Sequence, residues 1–187
     1  TGHAQDPQHW RDTHYEVTGP VVAQMQAVFL DNWIKAAGEV LHGENYFPTL
    51  TPTGKLDTQM FSSSPEGGSS SMHLMVLLAF AAATKTIDIE NSYFVPDKLT
   101  ITALIAVRKR GVRVRVLVPN RHTDAKFGRW ASQALYAELL AAGIEINEYE
   151  PTMLHCKVII VDALWTSVGS CNFDDRSFRL NDEANLN

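Results

Sequence analysis

A chain of 187 residues, 45% of them hydrophobic, is long enough to bury a core for one domain, or for one domain plus a piece of another. Its formal charge of −5 and pI near 5.8 weigh against a protein built mainly to coat nucleic acid, while leaving room for a local basic pocket. Two cysteines, Cys156 and Cys171, supply no disulfide framework, favour a reducing compartment and read as small core hydrophobes.

Residues 1–14 are polar and read as a loop. His3, His9 and His14 match no metal-ligand spacing, so they are expected to be solvated and no metal is expected. Residues 13–18 alternate as a short strand, after which Gly19-Pro20 opens a helix over 21–37. Val22, Met25, Phe29, Trp33 and Ala36 recur there at helical spacing, and the aromatics are expected in the core. The Gly- and Pro-bearing stretch 38–54 suits a connection between two structural units, with a boundary near Tyr46 to Pro52.

Beyond it, a strand is expected within 57–63, a loop over 62–68, and a helix to about Ala83 for which Ser69 to Ser71 offer caps. The apolar part of that helix, Met72 to Ala83, contains His73 and is too short to span a bilayer. No signal peptide is visible. Residues 86–90 alternate as a strand and run into Asn91-Ser92-Tyr93-Phe94-Val95-Pro96, a natural rim for a site. Asp97 or Thr100 caps a helix to Arg110, Gly111 stops it, and 112–118 is a strand. A helix over 128–142, stopped by Gly143, precedes a strand over 144–149. Strands alternating with helices predict an α/β fold with a mostly parallel or mixed sheet covered by helices. The basic cluster Arg108, Lys109, Arg110, Arg113 and Arg115 is best explained by a helix C-terminus followed by an alternating strand.

The chemistry concentrates after Met153. His155-Cys156-Lys157 opens a β-branched run to Val161 that predicts a buried strand over 155–162, with His155 and Lys157 on one face. Asp162 falls on the other face or past the strand end and is assigned to positioning, by accepting hydrogen bonds behind the strand. After a hairpin partner over 165–168 come Gly169-Ser170-Cys171-Asn172. Gly169 permits a tight or positive-φ backbone, while the Ser170 hydroxyl and Asn172 carboxamide offer donors to phosphoryl oxygens. An imidazole, an ammonium and two polar donors together make a pocket for one phosphodiester.

His155-x-Lys157-x4-Asp162 followed by Gly169-Ser170-x-Asn172 resembles the signature of the phospholipase D superfamily. Tyr93-Phe94-Val95-Pro96-Asp97, Arg110-Gly111-Val112, Val116-Leu117-Val118-Pro119 and Phe173-Asp174-Asp175-Arg176-Ser177 are similar to the bacterial cardiolipin synthases of that superfamily. Trp10-Arg11-Asp12-Thr13-His14 with Gly19-Pro20 resembles the tail of the first half of those two-motif enzymes. The resemblance implies a phospholipase D-like mixed β-sheet flanked by helices. It divides the chain into residues 1–47, the tail of a first half, and residues 48–187, a second half carrying the motif.

It further implies phosphatidyl transfer between phospholipids through a phosphohistidine, with His155, Lys157, Asn172 and Glu183 catalytic. Glu183 is expected to pair with His155, and Asp12, as its counterpart, with a histidine upstream. Asp162, Gly169 and Ser170 are supporting, and Tyr93 and Phe94 are candidates for the substrate pocket. No cofactor is implied. The implied partners are a phospholipid such as phosphatidylglycerol, a membrane surface touched peripherally from the cytoplasmic side, and the first half of the same polypeptide. Hydrolysis of lipid or nucleic-acid phosphodiesters is the alternative within the same chemistry, and a noncatalytic module of the same fold the alternative outside it.

Overall fold

The hydrophobic periods of the sequence resolve into a seven-stranded mixed sheet in a computed structural model that describes residues 4–65 and 71–187. Its parallel portion comes from β3 (Thr86–Asn91), β4 (Arg113–Pro119) and β5 (Glu145–Tyr149), linked by α3 (Lys98–Lys109) and α4 (Lys126–Ala141). Beside β3 the sheet turns antiparallel through β7 (Lys157–Val161), β8 (Trp165–Gly169), β9 (Glu183–Leu186) and β2 (Met60–Ser63), in the order β2-β9-β8-β7-β3-β4-β5. The alternation in β3 and β4 sends Ile87, Ile89, Val114, Val116 and Val118 inward, against Met72, Val76 and Phe80 of α2 (Ser71–Ala82) and Leu104 and Val107 of α3. Phe80, Phe94, Phe173 and Phe178 add an aromatic cluster behind the motif strands.

Local signals set the element ends. Asp97 caps α3 by accepting from the Thr100 amide at 2.9 Å, and Gly111 and Gly143 take φ of +92° and +82° just beyond α3 and α4. The basic cluster is occupied structurally: Arg110 donates to the carbonyls of Phe80, Ala81 and Ala83 at the end of α2, Arg108 to Gly143, and Arg113 and Arg115 pair with Glu145 and Asp88. The expected caps Ser69 and Ser70, like His3, lie outside the described residues.

Three expectations change. The first strand is Trp10–Arg11 (β1), not 13–18, because its partner is the two-residue β6 (Met153–Leu154), which it meets in parallel as a separate two-stranded ribbon. The 155–162 strand is shorter at its start, since β6 ends at Leu154 and β7 begins only at Lys157. α1 (Val21–Ala37) forms as its periodicity predicts, but its aromatics are not in the core: Phe29 is 51% exposed, Trp33 is 36% exposed, and Val21 is its only buried residue. No helix among the described residues is long and apolar enough to cross a membrane.

The parallel strands β3, β4 and β5 all end on one rim, where Asn91 at the end of β3 pairs with Lys157 at the start of β7. Crevices at the carboxyl ends of parallel strands are where open α/β sheets place their ligands.

Candidate active site

His155 stands on that rim between two ribbons. Its backbone amide donates to Arg11 at 2.9 Å, extending the β1–β6 pairing by one bond, so the chain segment around Trp10 is tied directly to the motif. The next residue on that segment, Asp12, has its carboxylate 2.9 Å from His155 Nδ1, and the Trp10 ring lies flat on the imidazole, with centroids 4.5 Å apart and planes 13° from parallel. A carboxylate accepting from Nδ1–H fixes the tautomer that leaves Nε2 with its lone pair and holds the ring in place.

Lys157 closes over the other side. Its Nζ lies 3.2 Å from His155 Nε2 and 3.3 Å from Nδ1, against the ring as a whole, and donates to the His155 carbonyl at 2.6 Å. Burial holds the Lys157 ammonium below its ordinary pKa, against the pull of the carboxylates of Asp12, Glu183 and Asp124 and of Cys156. Alternation alone would place the two residues on one face; the break between β6 and β7 brings them into contact.

Asn172 reaches the same rim from the loop after β8. Its Oδ1 accepts from the Ser92 hydroxyl at 2.8 Å, which orients the amide and leaves its NH₂ group without a partner among the described residues. Buried Asn91 holds the loop in place: its Oδ1 accepts from the amides of Tyr93 and Phe173, and its Nδ2 donates to Cys171. The sequence places Asn91 and Ser92 on a site rim without giving either a role, since their partners lie some eighty residues away.

Glu183 does not pair with His155. Both of its oxygens are taken, Oε2 by the Ser170 hydroxyl and Oε1 by Ser177 at 2.6 Å and Asn181 at 3.1 Å, and it is 7% exposed. The expectation failed because Glu183 lies near the motif in sequence while Asp12 lies 143 residues upstream, and it is the β1–β6 pairing that brings Asp12 to the imidazole. Asp12, expected to serve an upstream histidine, occupies the position. Ser170 is corrected with Glu183: its hydroxyl donates to Glu183 and accepts from the Ala184 amide at 3.0 Å, leaving no proton for a phosphoryl oxygen. Gly169 is needed for close approach rather than for positive φ, because a Cβ there would lie 2.2 Å from the Ala184 carbonyl oxygen.

Phe94 is also corrected. It is 2% exposed and bridges to Phe173 inside the aromatic cluster, so it lines the core and not a substrate pocket. Tyr93 remains on the rim, donating to Asp124 at 2.8 Å; burial and that carboxylate push its phenol up to about 12. Cys156 and Cys171 are buried, and burial pushes both thiols up, away from the reactive thiolate form.

Asp162 stands at the far end of β7 from Lys157, in a turn where it takes φ +55°. Its carboxylate accepts from the Thr84 hydroxyl and from the amides of Thr84, Lys85 and Thr86 at 2.7 to 2.8 Å, clamping the start of β3 to the hairpin. These bonds, the Thr84 hydroxyl first, hold its pKa well below the ordinary 3.8. A depressed carboxylate stabilises the fold above its unfolded pKa, and that contribution fades as pH falls below about 4. Asp162→Asn should therefore lower the melting temperature at pH 7 and flatten its decline between about pH 4 and pH 2. Parallel melting curves for the two proteins across that range would refute the clamp.

Beside Lys157 opens a cleft of about 740 Å³ whose walls include Val17, Met25, Met60, Val158, Val168 and Leu186, with Asp12 at its edge. The cross-strand register aligns Val158, Val168, Leu186 and Met60 into one apolar row on the sheet face opposite the main core.

Known proteins resemble this chain in sequence and fold. Residues 76–187 match the family described as cardiolipin synthase, PLD-like domain. The chain is 37% identical over 178 residues to a cardiolipin synthase of Geobacillus kaustophilus and 40% identical over 178 residues to cardiolipin synthase A of Pseudomonas fluorescens. The matches take in 94% and 95% of the chain, which spans only 35% and 36% of the length of those relatives. Among solved structures, a phospholipase D family member, Nuc from Salmonella typhimurium, is similar with a TM-score of 0.56 and 26% identity, over 70% of this chain and 82% of that one. The motif, the mixed sheet that carries it and these likenesses agree: the chain belongs to the phospholipase D-like domain family of cardiolipin synthases.

Proposed function

We propose that this chain supplies one of two histidine–lysine centres of an enzyme that transfers a phosphatidyl group between phospholipid alcohols, as cardiolipin synthesis requires. The observation that carries the proposal is His155 with Asp12 on Nδ1 and the Lys157 ammonium against its ring, within 3.3 Å of both nitrogens, and the free amide of Asn172 on the same rim. When Nε2 attacks a phosphodiester, an N–P bond forms and the bond to the leaving alcohol oxygen breaks, with the proton supplied by a second histidine. The acceptor alcohol then attacks phosphorus, the N–P bond breaks, and the acceptor's proton passes to the same second group. His155 serves equally as that acid and base if the partner histidine is the nucleophile. Lys157 and Asn172 stabilise the extra charge on the nonbridging oxygens in either case.

A single His-x-Lys occurs in the sequence. The second centre is assigned to a preceding half of the same polypeptide, of which residues 1–47 are the tail and residues 48–187 the companion. The relatives' greater length, the exposed aromatics of α1, and the delivery of Asp12 from that tail to His155 support this division. The apolar cleft beside Lys157 favours a lipid over a polynucleotide, and phosphatidylglycerol at a membrane surface is the substrate proposed.

The full-length protein, incubated with phosphatidylglycerol vesicles and separately with DNA, should yield cardiolipin and glycerol from the first and leave the second intact. DNA cleavage without lipid product would overturn the assignment. Within the same assay, Asp12→Asn should cost about 10- to 100-fold in kcat and alter the pH profile, because the imidazole loses its orienting carboxylate. A larger loss in kcat from Glu183→Gln than from Asp12→Asn, at equal melting temperature, would return the supporting role to Glu183.

A further inference from the structure

The start of α4 carries an apolar surface that none of the described residues covers. Phe127 is 82% exposed and Trp130 60% exposed, and the two rings meet edge to face with centroids 5.4 Å apart. Ala131 and Ala134, also exposed, extend them at the i, i+3, i+4, i+7 spacing of one helix face, while Leu135 and Leu139 take the opposite face into the core. Two exposed cations, Arg121 in the loop before α4 and Lys126 at its first position, enter no ion pair among the described residues, in a chain whose overall charge is −5. Arg129 is already matched by Glu148 at 2.9 Å, and the Asp124 carboxylate, between the two cations in sequence, accepts from the Tyr93 hydroxyl.

Position gives this surface its meaning. α4 follows β4, so its first turns stand on the rim where β3, β4 and β5 end and where His155, Lys157 and Asn172 gather. The bond from Tyr93 to Asp124 ties the loop before α4 to the strand end that carries Ser92, the partner of Asn172. A lipid phosphodiester lies at headgroup depth, so the site that handles it must face the interface. Aromatic side chains with neighbouring lysine and arginine are what that boundary favours: the rings enter the headgroup and acyl boundary, and the cations meet anionic phosphates.

We infer that Phe127 and Trp130, with Arg121 and Lys126, dock the catalytic rim onto the surface of an anionic phospholipid bilayer. The inference rests on the lipid substrate proposed above, and binding is measured here without turnover. Cosedimentation of the 187-residue chain with vesicles of phosphatidylglycerol and phosphatidylcholine should show binding that weakens with salt. Phe127→Ser/Trp130→Ser and Arg121→Glu/Lys126→Glu should each lower that binding about tenfold or more. Melting temperatures should hold, because all four side chains are exposed, and Leu140→Ser, on the last turns of the same helix, should bind as the unaltered chain does.

Failure of the unaltered chain to bind, or binding that survives both double variants, would overturn the inference. A change in self-association by sedimentation velocity, with vesicle binding intact, would assign the surface to a protein partner and overturn it as well. If the full-length enzyme makes no lipid product while the Phe127 and Trp130 dependence of binding stands, the proposed reaction fails and the docking surface does not.

Discussion

His155→Ala in the full-length enzyme should lower kcat/KM for phosphatidylglycerol by roughly four orders of magnitude or more and, with His155 as the nucleophile, eliminate the covalent phosphoenzyme. The size of the effect follows from what the imidazole does in the proposed reaction. Without Nε2, the phosphorus has no nucleophile on this side of the site, and water, even if it enters, is neither oriented nor activated by Asp12. If His155 acts instead as the acid and base, its loss leaves an alkoxide to depart unprotonated, and turnover is again lost. Quenching a reaction with phosphate-labelled substrate and testing for an acid-labile, base-stable protein label separates the two cases when His155→Ala is compared with the variant at the second histidine. Because His155 is 25% exposed and contributes little to the core, the variant should remain folded. Unchanged turnover would remove His155 from the mechanism.

Lys157→Met should lower kcat by about 10²- to 10³-fold with a smaller change in KM, since the ammonium interacts most strongly with the oxygens that gain charge in the transition state. Methionine keeps the length and apolar volume of the side chain, so lost packing contributes little. The pH dependence carries a second signature. Lys157 assists only when protonated, and burial holds its pKa below the ordinary 10.5, so activity should fall on the alkaline side at a lower pH than an exposed lysine would allow. In Lys157→Met that alkaline limb should disappear from the residual rate. An alkaline limb that persists unchanged would mean another group sets it, with Asn172 and the partner half left to stabilise the charge.

The two variants probe neighbours with different supports. His155 takes its orientation from a segment more than 140 residues upstream, through Asp12 and Trp10, whereas Lys157 is placed by its own strand and by the His155 carbonyl. Damage to the β1–β6 pairing is therefore expected to affect the imidazole first.

Local sequence was enough for the mixed α/β class, the order of helices and strands and the motif segments, because these depend on short-range periodicity, on caps such as Asp97 and on stops such as Gly111 and Gly143. It was also enough to show that His155 and Lys157 point the same way, since two residues apart on an extended chain is a short-range relation. Which carboxylate meets His155 depended on a two-residue parallel pairing that carries no periodic signal of its own. Asp12 and Glu183 are equally acidic in sequence, but only the fold gives one of them to the imidazole and the other to Ser170, Ser177 and Asn181. The same reason removed Phe94 from the pocket and turned the aromatics of α1 outward. Burial is a property of what packs across from a residue, and for Phe94 that is Phe173, while for Phe29 and Trp33 the described chain supplies no comparable neighbour.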